Sequence, residues 1–455
     1  MLKYLKQSGQ ALYKRLIEKD IGMMIEISPI KESLNKIANE SYSYFNYNQQ
    51  AINRQKYNIW EGNHKLLDRF YKKSSNISLP IKVIFMVADT SLWDVFQPIY
   101  YKLSINSQFQ VKVIAFKRVD VECDKSYLEV EHFFMNRGIA ADIVGFGLSH
   151  SLPVINPEDA DVVFYTLGSS AFPDIYKIEY VSTYCRTCYL SYGFLMVNEE
   201  NYQFAQDFHH SAWTIYASTS REVDLYKKYS VRYSSNVVLS GYPKFDLLDA
   251  RNIKCDKPKR PIVIWAPHWT IGLCYPSLNL GTFDRICMGM LDLFQAFPEV
   301  DFIFKPHPNL LYALKKTTFM DENNYLIYLQ QLNNLQNVIT YNQGDYCTLF
   351  LQSSAMITDS VSFLAEYLPT GNPLLFLERE DRKRFSDVGE DIITLHYKGE
   401  GIESIREFIQ QIIYRKEDYM RAFRLEQTDS LLGINEVSAS DNIYNHLLQN
   451  FGLHK

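Results

Sequence analysis

No stretch of this 455-residue chain approaches the roughly 20 consecutive apolar residues that a membrane-spanning helix requires. The N-terminus also lacks the apolar centre and small-residue cleavage site of a signal peptide, so a cytoplasmic protein is expected. Cysteine is sparse: seven residues, an odd number scattered along a long chain, do not make a disulfide framework. Cys185-Arg186-Thr187-Cys188 has zinc-ligand spacing, but no second Cys/His pair at metal spacing accompanies it, and neither metal nor cofactor is expected. There is no excess of positive charge either. With 47 Lys and Arg against 52 Asp and Glu the formal net charge is -5, which argues against nucleic acid as a partner and confines any polyanion contact to a local cluster. Internal repeats and low-complexity tracts are absent.

Aromatic residues are abundant. The 33 tyrosines and 28 phenylalanines suit a large folded core with rings to spare for stacking on sugars or bases, and they exclude a disordered chain. The length suffices for two or three domains. Residues 1–75 read as a helical extension: Leu2, Leu5, Leu12, Leu16 and Ile17 recur at helical spacing, with Lys3, Lys6, Lys14, Arg15 and Lys19 between them. That basic face suits either packing on the protein itself or peripheral contact with anionic lipid. After the polar break Lys72–Asn76, short apolar runs alternate with helical patterns, which implies βαβ units and parallel sheets. Strands are expected at 81–87, 110–116, 161–165, 187–190, 214–217 and 237–239. A second set follows the charged, proline-containing linker 251–261, around Val263, Phe302, 337–340, Met356 and 374–377.

Four motifs fall at the ends of these strands. Phe302-Ile303-Phe304-Lys305-Pro306-His307-Pro308 puts a cation and an imidazole in a loop stiffened by two prolines. Ile264-Trp265-Ala266-Pro267-His268-Trp269 repeats the arrangement, so His268 and His307 are expected to converge. Gly241-Tyr242-Pro243-Lys244-Phe245-Asp246 precedes both. Thr358-Asp359-Ser360-Val361-Ser362 opens a helix, where unpaired backbone N–H groups and two hydroxyls suit a phosphate.

The ordered set GYPK-D, APHW, KPHP and TDS-S resembles the CDP-glycerol glycerophosphotransferase family, which includes the teichoic acid polymerases. The resemblance covers roughly residues 80 to 435. It implies an α/β fold of GT-B type, two Rossmann-like domains facing a cleft. An acceptor domain would span 80–250 and a nucleotide-donor domain 260–435, with 436–455 crossing back to the first. It also implies that His307 faces the donor diphosphate, where a protonated ring would offset charge on departing CMP. His268, Lys305, Ser360, Ser362 and Arg384 would bind donor phosphates, Arg384-Phe385 resembling the family's Arg-Gly-Phe without its glycine. Glu366 would bind ribose.

The family's Trp-His-Gly segment, whose histidine is placed as acceptor base, has no counterpart here. His209 or His210 is expected to replace it, with Asp89 and Asp94 as alternatives. The expected activity is transfer of glycerol phosphate or another polyol phosphate from a CDP-activated donor to a hydroxyl of a surface polymer or its lipid-linked precursor. A nucleotide-sugar glycosyltransferase and a non-catalytic polymer-binding protein of the same fold are the alternatives.

Overall fold

In the computed structural model the described residues are 58–62, 64, 65 and 79–453, apart from 121–124, 147–154, 156–158, 198, 199, 252, 254, 273–277 and 342–345. Two parallel sheets organise them. The first holds β1 (Ile81–Val87), β2 (Phe109–Phe116), β3 (Ala141–Val144), β4 (Val162–Tyr165), β5 (Arg186–Leu190), β6 (Thr214–Ala217) and β7 (Val237–Leu239), in the order β3-β2-β1-β4-β5-β6-β7. The second holds β8 (Ile262–Ala266), β9 (Asp301–Phe304), β10 (Val338–Thr340), β11 (Ala355–Thr358), β12 (Leu374–Leu377) and β13 (Tyr397–Gly399), in the order β10-β9-β8-β11-β12-β13.

Each sheet thus repeats the doubly wound order of a Rossmann domain, with strand order reversing between β1 and β4 and again between β8 and β11. The central strands are buried on both faces because helices cover both sides. This is why β4 (VVFY) and β11 (AMIT) carry unbroken rather than alternating side chains. Most of the helical calls for residues 1–75, with their lysine-rich face, lie outside the described residues. Among the described residues no helix is long and apolar enough to cross a membrane.

Residues 57–455 form one compact unit. One apolar cluster runs from Phe85, Trp93 and Phe164 on the first sheet, through Tyr242 and Phe245, to Phe350, Leu364, Phe376 and Phe385 on the second. The last helix, Ala439–Asn450, packs on the first sheet's helix Trp93–Ser104, held by the Lys102–Asp441 ion pair and by Asn106 Nδ2 donating to Tyr444 Oη at 2.6 Å. Its first N–H groups, those of Ala439 and Ser440, donate to the Asp246 carboxylate at 3.1 and 2.9 Å. Gly241 lies against it at φ +87°, where an added Cβ would stand 3.1 Å from Ala439 Cβ. Two members of the GYPK-D motif therefore seat the C-terminal helix.

Candidate functional site

The second sheet ends in three adjacent loops at its switch point. Registers Trp265↔Phe304 and Ala266↔Thr358 put His307, His268 and Ser360 at one level on consecutive strands β9, β8 and β11. Two strand spacings separate the outer pair by roughly 10 Å, a span a diphosphate can bridge. Backbone bonds fix the loops: Lys305 N donates to Trp265 O at 2.8 Å and His307 N to Pro267 O at 3.1 Å. Asp359, fully buried, is the fastener between them. Its carboxylate accepts from His268 N, Thr282 N and, at 2.7 Å, Thr282 Oγ1. Burial pushes its pKa up to about 6 against the pull of those bonds.

The two imidazoles stand 5.2 Å apart between centroids, with Trp269 6.0 Å from His307. Asn309 N donates to His307 Nδ1 at 3.0 Å, so the neutral ring carries its proton on Nε2. Thr270 N donates to His268 Nδ1 at 3.4 Å, which makes that nitrogen an acceptor and assigns the same tautomer there, with Thr270 Oγ1 2.8 Å away and able to donate to it as well. Burial drives His268 down to about 3. Burial, then His268 and Lys305, hold His307 well below its ordinary value. Without a phosphate beside it, the surroundings of His307 favour the neutral ring with its hydrogen on Nε2 over the protonated form expected from sequence.

The phosphate seat is narrower than the sequence suggests. The helix Val361–Glu366 has only six residues, and the N–H of Ser360 is taken at 3.0 Å by Thr358 Oγ1. No side chain caps its first turn, where Ser362 is half-buried. Arg384 is exposed in the loop after β12, beside a cavity of about 540 Å³ that Arg379, Arg382, Glu390 and Glu400 also line. Arg379 is held there by Asp381 and Gly281 O, and Arg382 by Glu378 and Glu390. Phe385 forms an antiparallel bridge to Val197 of the first half, and Ser386 N donates to Met196 O at 2.8 Å.

Below the histidines lies a buried polar cluster drawn from both halves. Lys244, in the 3₁₀ turn Pro243–Leu247 after β7, donates to Tyr346 Oη and stands 3.2 Å from Glu366 Oε2. Tyr346 Oη in turn donates to Glu366. Lys305 Nζ lies 4.7 Å from the Tyr346 ring centroid. Burial, then Lys244, lower its pKa to about 8. Asp94, buried at the start of the helix Trp93–Ser104, faces this group, with Cys347 Sγ 3.5 Å from its Oδ2. Glu366, expected on a ribose, is engaged here by Lys244 and Tyr346.

His209 and His210 are not brought to this place. Their helix, Asp207–Ser211, leads into β6, so both lie at the amino-terminal edge of the first sheet, opposite the loops that follow its strands. Both are buried. The His209 ring packs on Phe208, Tyr189 and Tyr226, and its Nδ1 accepts from Gln206 N at 3.1 Å. Burial, then His210, hold it well below its ordinary value. Of the carboxylate alternatives, Asp89 pairs with Lys125 at 2.8 Å on the first sheet, whereas Asp94 reaches the second half. Cys185 and Cys188 belong to separate apolar clusters of the first half. Sequence reasoning missed Lys244, Tyr346 and the fastening role of Asp359. For Lys244 the signal was available, a lysine directly after a strand inside a recognised motif.

No protein-family model matches the chain, and no curated protein matches it. Solved structures do. The S. aureus MnaA–UDP co-structure superposes with a TM-score of 0.54 at 13% identity, over 82% of this chain and 98% of that one. UDP-GlcNAc 2-epimerase from Neisseria meningitidis bound to UDP-GlcNAc gives 0.52 at 16% identity, over 81% and 100%. The wall teichoic acid polymerase TagF gives 0.51 at 12% identity, over 90% and 98%. The fold is accordingly of GT-B type, two Rossmann-like domains flanking a cleft.

Proposed function

We propose that the protein is a transferase that moves a polyol phosphate, such as glycerol phosphate, from a CDP-activated donor to a hydroxyl of a surface polymer or its lipid-linked precursor. The acceptor domain is taken as 80–250, the donor domain as 260–435, and 436–455 as the returning segment. The observation that carries the reading is the pairing of His268 and His307 at one level of the switch point, both with the proton on Nε2, in a fold shared with a teichoic acid polymerase. The acceptor hydroxyl gives its proton to Asp94, and its oxygen attacks the β-phosphorus. The bond to CMP breaks, and CMP leaves with the electron pair on its phosphate. His307 and His268 donate hydrogen bonds to the phosphate oxygens, while Lys305 and Arg384 supply charge and Ser360 and Ser362 hydroxyl donors. Such transfer depends on positioning and charge stabilisation more than on covalent chemistry.

UDP-sugar chemistry is the second reading, favoured by the UDP and UDP-GlcNAc held in two structurally similar proteins. Incubation with CDP-glycerol, CDP-ribitol and UDP-GlcNAc in the presence of acceptor separates the two by product. CMP release supports polyol-phosphate transfer; release of CDP or UDP moves the protein to sugar chemistry. Failure to bind any nucleotide leaves a non-catalytic polymer-binding protein.

A further inference from the structure

Lys244 takes no part in the proposed reaction, yet its side chain crosses from the first domain into the second. Its side chain is 3% exposed, and it reaches the donor half from the end of β7. Its Nζ lies 4.5 Å from the Tyr346 ring centroid, and the Lys305 Nζ lies 4.7 Å from the same centroid. Two ammonium groups, one from each domain, therefore share a single ring. Such convergence is unfavourable unless anions sit close by. In the structure two carboxylates serve: Glu366, bonded to Lys244, and Asp94, which acts on both lysines through space. Buried pairs of this kind add little net stability compared with apolar packing, so stability alone gives weak reason to put a lysine there.

The partner is informative. Glu366 is the residue assigned above to the ribose of the donor, and Lys244 and Tyr346 both hold its Oε2, so a ribose diol that takes both carboxylate oxygens competes with them for that atom. A nucleotide that takes Glu366 releases the ammonium group beside Lys305, on the loop that also carries His307. We propose that Lys244 is a ligand of the donor diphosphate contributed by the first domain, and that it exchanges its bond to Glu366 for the diphosphate when the nucleotide binds. This inference rests on the donor-site reading above. It makes donor binding a two-domain event, in which the ribose displaces a cation and the phosphates receive it. Tyr346 keeps both lysines in place, its ring against the two ammonium groups and its hydroxyl between Lys244 and Glu366.

Calorimetric titration with CDP, UDP and the nucleosides cytidine and uridine tests it. Lys244→Met should weaken the nucleoside diphosphate that the wild-type protein binds by roughly tenfold or more, while the matching nucleoside is affected far less; Lys244→Arg should restore most of the loss. Because Lys244→Met leaves Glu366 buried without its cation, the charge-balanced Lys244→Met/Glu366→Gln protein is compared with Glu366→Gln alone, and the same selective loss is expected. If the lysine only ties the domains together, diphosphate affinity stays unchanged or rises when it is removed, and the inference is overturned while the donor site stands. If the wild-type protein binds neither CDP nor UDP, the donor-site reading falls and the inference with it.

Discussion

His307 shows how a residue can be located from sequence and still be misjudged in its chemistry. Its place at the mouth of the second sheet follows from a strand ending in Lys-Pro-His-Pro. Its charge does not, because that depends on burial, on His268 alongside and on the Asn309 N–H directed at Nδ1. Protonating Nδ1 would set two N–H groups against each other. These groups favour the neutral ring with its hydrogen on Nε2, and a phosphate dianion beside it would raise its proton affinity. His307→Ala should lower turnover on the order of 10²-fold with nucleotide affinity close to wild type, since the contact tightens as CMP departs. Turnover and calorimetric affinity measured on one preparation decide it, and wild-type turnover would leave the ring only a structural part. His209 and His210 were misplaced for a different reason. Residue type was weighed there, whereas position relative to a strand decides: residues that lead into a parallel strand lie at the edge away from its ligand crevice.

At the scale of elements, legibility followed burial. Runs such as Val162–Tyr165 and Ala355–Thr358 are buried throughout and largely apolar because both faces are covered, and they read directly as strands. Ala141–Val144 and Tyr397–Gly399 escaped notice because edge strands are short and half-exposed, and these carry Asp142 and Lys398. The return of 436–455 to the first domain is what the resemblance implies, but the seat of its helix is harder to read, since it is written some two hundred residues earlier. Gly241 and Asp246 look like members of a functional motif, but they receive the start of Ala439–Asn450. Asp246→Ala should cost about 1–2 kcal/mol, the range for a lost helix cap. Gly241→Ala should cost more, because its backbone stands at φ +87° and the new methyl meets Ala439. Hydrogen exchange would report both as faster exchange across 439–450, with the loops of His268 and His307 unaffected. Unchanged protection there would mean that the helix is held mainly by its apolar face.

For the whole molecule, the buried imidazoles set the response to acid. His268 and His396 are held down to about 3 and His446 to about 4, each by burial first, against an ordinary value of 6.5. In the unfolded chain these rings take up protons as the pH falls through 6.5; in the folded protein they do so only near 3 or 4. The unfolded state binds more protons across that window, so stability declines as pH drops through it. Asp359 runs the other way. Raised to about 6 from 3.8, it keeps a proton in the folded state that the unfolded chain has lost, which favours folding as the pH falls from 6 toward 4. His209 and His307 add to the first effect, so it should dominate. The melting temperature is expected to fall between about pH 7 and pH 5, more steeply in Asp359→Asn. A flat calorimetric profile would show that the rings titrate near their ordinary values.

The Val197–Phe385 bridge divides the molecule differently from its chain order. Phe385 belongs by sequence to the second sheet's half, yet its backbone is tied to Met196 and Val197 of the first. Arg384 therefore stands between two anchors, the bridge at Phe385 to the first half and the bond from Lys383 N to Leu278 O of its own half. Any rotation that parts the two halves draws Arg384 away from His307 or breaks the bridge. On the donor-site reading proposed above, the guanidinium would register the separation of the two halves as well as the charge of a ligand.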